Sequence, residues 1–140
     1  MTHVSAGFTF PVRVYYEDTD VGGVVYYANY LRFMERARTE WLRSLGFDQE
    51  RLSVDHLVFP VTRTDVRYRK PARLDDELIV TVDPESRSRV SMGLTQRIFK
   101  DDALLIHGFV KVACIDTRRW RPVLVPQSIQ DAFTDPESSS

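Results

Sequence analysis

Alternation of apolar and polar residues dominates this chain. Phe8, Phe10, Val12, Val14 and Tyr16 alternate with Thr9, Pro11, Arg13 and Tyr15, which predicts a first β-strand. Pro11 has no N–H to give a ladder, so that strand is expected at a sheet edge or entry. Val61–Lys70 reads as a second strand, ended by Pro71. Leu78, Val80 and Val82 mark a third, closed by Asp83-Pro84-Glu85-Ser86. Val90, Met92, Leu94, Gln96 and Ile98 mark a fourth. After a turn at Lys100-Asp101-Asp102, Leu104, Ile106, Val110, Val112 and Cys114 alternate through a fifth with Leu105, His107, Phe109 and Lys111. Turn-sized gaps between long strands predict antiparallel pairing.

One stretch breaks the period. From Asn29 to Leu45, Tyr30, Met34, Ala37, Trp41 and Leu45 recur at helical spacing, and Phe33 and Leu42 widen the stripe. Arg32, Glu35, Arg36, Thr39, Glu40 and Arg43 fill the opposite face, with Arg36–Glu40 and Glu40–Arg43 spaced to pair. Asn29 reads as the N-cap, and Gly46 stands where a C-terminal cap belongs. Residues 47–57 read as a connector. The order is therefore β, α, then four β. A sheet buries one face only under a cover, and the helix stripe supplies it. The expected architecture is α+β, a five-stranded antiparallel sheet wrapped around one long central helix. The other face and the edges predict a homo-oligomer.

A length of 140 residues suits a single domain, 1–140, with 134–140 as a frayed tail. Charges almost cancel, 19 basic against 20 acidic, so bulk charge points to neither nucleic acid nor an acidic partner. Arginine far outnumbers lysine, which occurs only as Lys70, Lys100 and Lys111. Cys114 is the only cysteine, so no intrachain disulfide and no cysteine metal cluster can form. The N-terminal residues lack a signal-peptide pattern, and no apolar run approaches the ~18 residues of a membrane span. These features read as a cytoplasmic protein.

The chemistry concentrates before the helix, in Glu17-Asp18-Thr19-Asp20-Val21-Gly22-Gly23. A solvated turn accounts for the composition, since Asp and Gly are turn formers and acidic groups favour a helix start. A calcium loop does not: counted from Asp18, the fifth place is Gly22 and the twelfth is Asn29 rather than Glu. A phosphate loop fits poorly: Gly22-Gly23 could present amides to an anion, but Asp18 and Asp20 would repel it and there is no Lys as in a Walker loop. A carbonyl-attack site fits better. A helix start offers unpaired amides to a developing oxyanion, glycines admit the substrate, and a carboxylate supplies the nucleophile or activates water. His3, His56 and His107 lie in an arm, a connector and a strand, where none suggests a serine-type triad.

The stretch VRVYYEDTDVGGVVYYANYLRFMERARTEWL, continued by VRYRKPARLDDEL, LTQRIF and VPQSI, resembles the hotdog-fold 4-hydroxybenzoyl-CoA thioesterase family, closest to its Tol–Pal-associated acyl-CoA thioesterase branch. The resemblance covers nearly the whole chain. It implies a hotdog fold, hydrolysis of acyl-CoA thioesters without metal or other cofactor, and dimers or dimers of dimers with sites between subunits. It implies that Asp20, the second Asp of the D-x-D, is the catalytic carboxylate and Asp18 a structural loop residue. The carbonyl would be polarised by backbone N–H near Tyr27. The position of Tyr27 is commonly His in the Tol–Pal branch, whereas an aroyl-CoA member of the family resembles this chain in having Tyr. CoA is polyanionic, and the candidate cations for its nucleotide end are Arg87 and Arg89, then Lys70 and Arg73. The competing expectation is a non-catalytic hotdog module that binds acyl-CoA, acyl carrier protein or an envelope-associated partner.

Overall fold

The computed structural model describes residues 7–133; His3 and the expected tail at 134–140 lie outside them. Five antiparallel strands form the main sheet: β1 (Phe8–Arg13), β3 (Val61–Tyr68), β4 (Glu77–Arg87), β5 (Ser91–Lys100) and β6 (Ala103–Ala113). Their order across the sheet is β1-β4-β5-β6-β3. β1 is an edge strand, as Pro11 requires, with Pro11 opposite Ile79. The other edge is β3, most of whose residues are exposed.

Helix α1 (Tyr27–Ser44) covers one face, packing on β1 and β4. Tyr30, Phe33, Met34, Ala37, Trp41 and Leu42 are buried, against Val12, Val14, Leu78, Val80, Val82 and the inward residues of β5 and β6. At roughly 1.5–3 kcal/mol per buried large apolar side chain, this interface is the main cohesive force of the fold. The helix ends as Gly46 suggested. Gly46 has φ 94°, its N–H bonds Arg43 C=O at 3.0 Å, and Phe47 N–H bonds Leu42 C=O at 2.9 Å. That pattern is a Schellman motif, closed by the buried Leu42 and Phe47. Glu40 and Arg43 pair at 3.3 Å, and Arg36 lies over the Phe33 ring, 5.9 Å from its centroid.

Four expectations need correction. The helix starts at Tyr27, with Tyr26 as N-cap and no side-chain capping bond. Asn29 is inside the first turn, and its side-chain amide donates to Asp18 Oδ1 at 2.8 Å. β1 stops at Arg13: residues 16–18 turn as a short 3₁₀ helix, which leaves Tyr16 82% exposed rather than inward. β4 does not stop before Asp83 but runs to Arg87, and a register shift between Pro84 and Ser86 absorbs the proline. The connector holds helix α2 (Gln49–Val54), whose N-cap Asp48 accepts Arg51 N–H at 2.8 Å. A second small sheet pairs β2 (Leu57–Val58), β7 (Ile115–Asp116) and β8 (Arg121–Pro122), and α3 (Gln127–Asp131) follows.

Candidate active site

Asp20 lies in a hairpin rather than an open loop. Its N–H bonds Val24 C=O at 2.9 Å, its C=O accepts Gly23 N–H at 3.0 Å, and Thr19 bridges Val25. Gly23 has φ 79°, a conformation that side chains rarely adopt, which explains one glycine of the pair. Gly22 donates its N–H to Asp20 Oδ1 at 2.8 Å, an Asx-type turn that aims the exposed carboxylate.

The hairpin is pinned to the segment ahead of β4. Val24 bridges Arg73, Val25 N–H bonds Ala72 C=O at 2.9 Å, and Leu74 N–H reaches Gly23 C=O at 3.3 Å. From the other side, Tyr30 Oη accepts Ala72 N–H at 2.8 Å. Burial raises the Tyr30 phenol above its ordinary pKa, so it stays protonated. Asp76 closes this segment, accepting Arg73 N–H at 2.8 Å and pairing with Lys100 at 2.9 Å. Burial pushes its carboxyl up, but those partners outweigh it and leave it below the usual carboxylate value.

The two aspartates occupy different environments. Asp18 is 5% exposed; its Oδ2 accepts Tyr15 N–H at 2.9 Å and its Oδ1 accepts Asn29 Nδ2 at 2.8 Å. Its carbonyl accepts Tyr26 N–H at 3.0 Å, which places the α1 start against the hairpin. The Tyr27 and Ala28 amides belong to the first turn, where no intrahelical carbonyl is available, and no side chain caps them. The chain thus links an exposed carboxylate and a glycine pair on one hairpin to a helix start through backbone hydrogen bonds.

Tyr27 is 62% exposed and packs edge-on against Tyr68, with ring centroids 6.0 Å apart. Tyr26 lies 5.2 Å from Tyr27, and Tyr68 lies 5.8 Å from Tyr30. Burial, then the neighbouring Tyr27, hold the Tyr68 phenol above its ordinary pKa. Sequence reasoning missed Tyr68. It lies 41 positions from Tyr27, at the end of β3, and no local pattern marks it. Cys114 is no competitor as nucleophile: it is buried, and burial pushes its thiol up to about 11.

The candidate cations separate into two groups. Lys70 and Arg73 are exposed beside the hairpin, at the end of the sheet where β4 begins. Arg87 and Arg89 are exposed at the opposite end, around the Ser88–Ser91 turn. Ten residue steps along β4 separate Glu77 from Arg87, on the order of 30 Å at strand rise. Arg89 and Ser88 line a cavity of about 940 Å³ with His56, Asp116, Arg118 and Leu124. Among the described residues, no cluster of three or more His, Cys, Asp or Glu could hold a metal ion, and no helix is long and apolar enough to cross a membrane.

The chain as a whole is similar to known proteins in sequence and in fold. The acyl-CoA thioesterase YbgC of Haemophilus influenzae is 45% identical over 91% of this chain and 94% of its own length. The acyl-CoA thioester hydrolase YbgC of Escherichia coli O157:H7 is 46% identical over 90% of this chain and 95% of its own. A probable thioesterase from Bartonella henselae superposes with a TM-score of 0.82 at 32% identity, over 86% of this chain and all of that one. A 1,4-dihydroxy-2-naphthoyl-CoA thioesterase from Synechocystis superposes with a TM-score of 0.83 at 26% identity, over 93% and 97%. The model of the thioesterase-like superfamily matches residues 14–133. With Asp20, the glycine pair and the start of α1 all inside that match, this chain belongs to the thioesterase-like superfamily.

Proposed function

We propose that this chain hydrolyses acyl-CoA thioesters to the free acid and CoA. One juxtaposition carries the reading: the exposed Asp20 carboxylate is held on a hairpin tied to the uncapped start of α1. The names of the relatives at 45% and 46% identity support the substrate class. The thioester carbonyl oxygen is placed at the Tyr27 and Ala28 amides, where the helix start favours developing negative charge. Asp20 acts in one of two ways. It attacks the carbonyl carbon, the thiolate leaves, and water cleaves the resulting anhydride. Or it takes a proton from water, which attacks in its place. Release of CoA thiol by the purified protein over a panel of acyl-CoAs tests the activity; binding without thiol release would identify a non-catalytic module.

The Tyr27 side chain serves by shape in this reading, because the oxyanion donor is its backbone N–H and its ring packs edge-on against Tyr68. Tyr27→Phe is expected to keep activity within about tenfold on the best substrate, less than a typical general acid–base contribution. Tyr27→His is expected to shift acyl preference more than the best rate. Short aliphatic, long aliphatic and aromatic acyl-CoAs compared across the three proteins check both. A Tyr27→Phe loss as deep as that of Asp20→Asn would show the phenol in the chemistry.

The working unit is a homo-oligomer. Strand β3 offers a long exposed edge, with Arg63, Asp65 and Arg67 along it, the kind of edge that pairs with another chain unless covered. Antiparallel pairing of two β3 strands sets the Arg87 and Arg89 end of one copy beside the Asp20 end of the other. One CoA thioester can then use both groups of cations, with its nucleotide on the second copy. Two such dimers pairing through the outer sheet face would give a tetramer. Arg87→Ala with Arg89→Ala is expected to raise KM for CoA thioesters about tenfold and leave kcat nearly unchanged, the pattern of lost uniform binding. A thioester of a truncated, phosphate-free thiol should be indifferent; equal losses on both substrates would make these arginines structural.

We assign the chain to the Tol–Pal-associated branch on its D-T-D-x-G-G-V-V-Y and R-K-P-A-R stretches, from which Tyr27 is the departure. The single, buried Cys114 fits a reducing compartment, and we place the activity in the cytoplasm. The hotdog arrangement, with the sheet wrapped around α1, is supported by the antiparallel strand order and the buried α1 stripe.

A further inference from the structure

Asn29 does not cap the helix in whose first turn it lies. Its Nδ2 donates to Asp18 Oδ1 at 2.8 Å, across a separation of 11 residues. That bond closes a loop whose interior holds Asp20, Gly22, Gly23 and Tyr27. Asp18 is in turn fixed from outside the loop, where its Oδ2 accepts Tyr15 N–H at 2.9 Å. Its burial at 5% exposure makes both bonds strong, since a buried carboxylate needs its donors. Position 18 is two residues before Asp20, and position 29 is two residues after Tyr27. The bridge therefore sets the offset between the carboxylate and the helix-start amides, which belong to different elements.

We propose that Asn29 is a positioning residue for thioester hydrolysis: through Asp18 it holds the Tyr27 and Ala28 amides in register with Asp20, so that the attacking group and the oxyanion donors form one unit. This inference rests on the reading of Asp20 given above. Displacement of reacting groups by about 1 Å costs up to ~10²-fold in rate, which is the sensitivity such a clasp would control. The Tyr26 N–H bond to the Asp18 carbonyl and the Ala72 N–H bond to Tyr30 Oη restrain the same turn, and Asn29 adds the link from α1 to the Asp18 carboxylate.

The bridge can be tested by exchanging its ends. Asn29→Ala removes the donor and is expected to lower kcat about tenfold or more with KM within about threefold, as for a misplaced group rather than lost affinity. Asn29→Asp sets two carboxylates face to face and is expected to lower kcat about 10²-fold. Asp18→Asn combined with Asn29→Asp restores the bridge with donor and acceptor reversed. The amide at 18 keeps its carbonyl on Tyr15 N–H and gives its NH₂ to the carboxylate at 29. The double exchange is expected to recover kcat to within about tenfold of wild type. Thermal melting and circular dichroism run alongside correct kcat for the folded fraction. An unchanged kcat in Asn29→Ala, or a folded double exchange as slow as Asn29→Asp alone, would overturn the proposal. Asp20→Asn is measured in the same assay. If it is inactive while Asn29→Ala is fully active, only the positioning role fails; if it is as active as wild type, the reading of Asp20 fails and takes this one with it.

Discussion

Asp20→Asn is expected to lower acyl-CoA turnover by about 10²-fold or more, the scale of a lost general base or nucleophile. The substitution keeps shape: the amide oxygen at position 20 can still accept the Gly22 N–H now held by Oδ1 at 2.8 Å. The backbone bonds from Asp20 to Val24 and Gly23 do not involve the side chain. The hairpin should therefore survive, and the loss should fall on kcat with little change in melting temperature. Asp18→Asn makes the contrast. The residue is buried with both oxygens engaged, so its substitution puts a second amide NH₂ against Asn29 and acts through geometry. A smaller turnover loss is expected there, with a clearer fall in stability. Stopped assays of thiol release, read against thermal melts of all three proteins, check the pair. Wild-type turnover in Asp20→Asn would sink the mechanism, and an Asp18→Asn deeper in kcat than Asp20→Asn would reverse the assignment.

The largest expected stability effect lies across the core. Gln96 is fully buried on β5, donating from Nε2 to Met34 C=O at 3.0 Å and Thr81 C=O at 3.3 Å. Its Oε1 accepts Arg38 NH1 at 3.0 Å. Burial pulls the Arg38 guanidinium below the usual arginine pKa, the mark of a charge that lacks full hydration. Gln96→Leu keeps volume but removes that acceptor, and is expected to cost about 2–3 kcal/mol, the range for stranding a buried polar or charged group. Arg38→Met in the same chain removes the stranded charge, so the double variant should be more stable than the sum of the single losses predicts. Urea unfolding of the four proteins at one fixed concentration measures the coupling. Strict additivity would mean that Arg38 finds another acceptor, with the nearby Glu35 the first to consider.

Alternation along the chain was enough to order the elements, because a strand or helix face reports its own burial. The α1 stripe, the five strands, the edge position demanded by Pro11 and the stop at Gly46 were all legible this way. So was the pairing of an acidic-glycine turn with a helix start, since those residues are neighbours in sequence. What only the tertiary structure decided are the contacts between distant segments. Periodicity says which way a side chain faces but not which strand it meets. It could therefore not show that Ala72 and Arg73 clamp the Asp20 hairpin, or that Tyr68 lies against Tyr27. Asn29 was misread for a related reason: a good N-cap residue was drawn one turn inward by a buried carboxylate 11 positions away, and tertiary hydrogen bonding outweighed local preference. Composition could name arginines and lysines as candidates for one polyanion. Only the extended course of β4 divides them between opposite ends of the sheet.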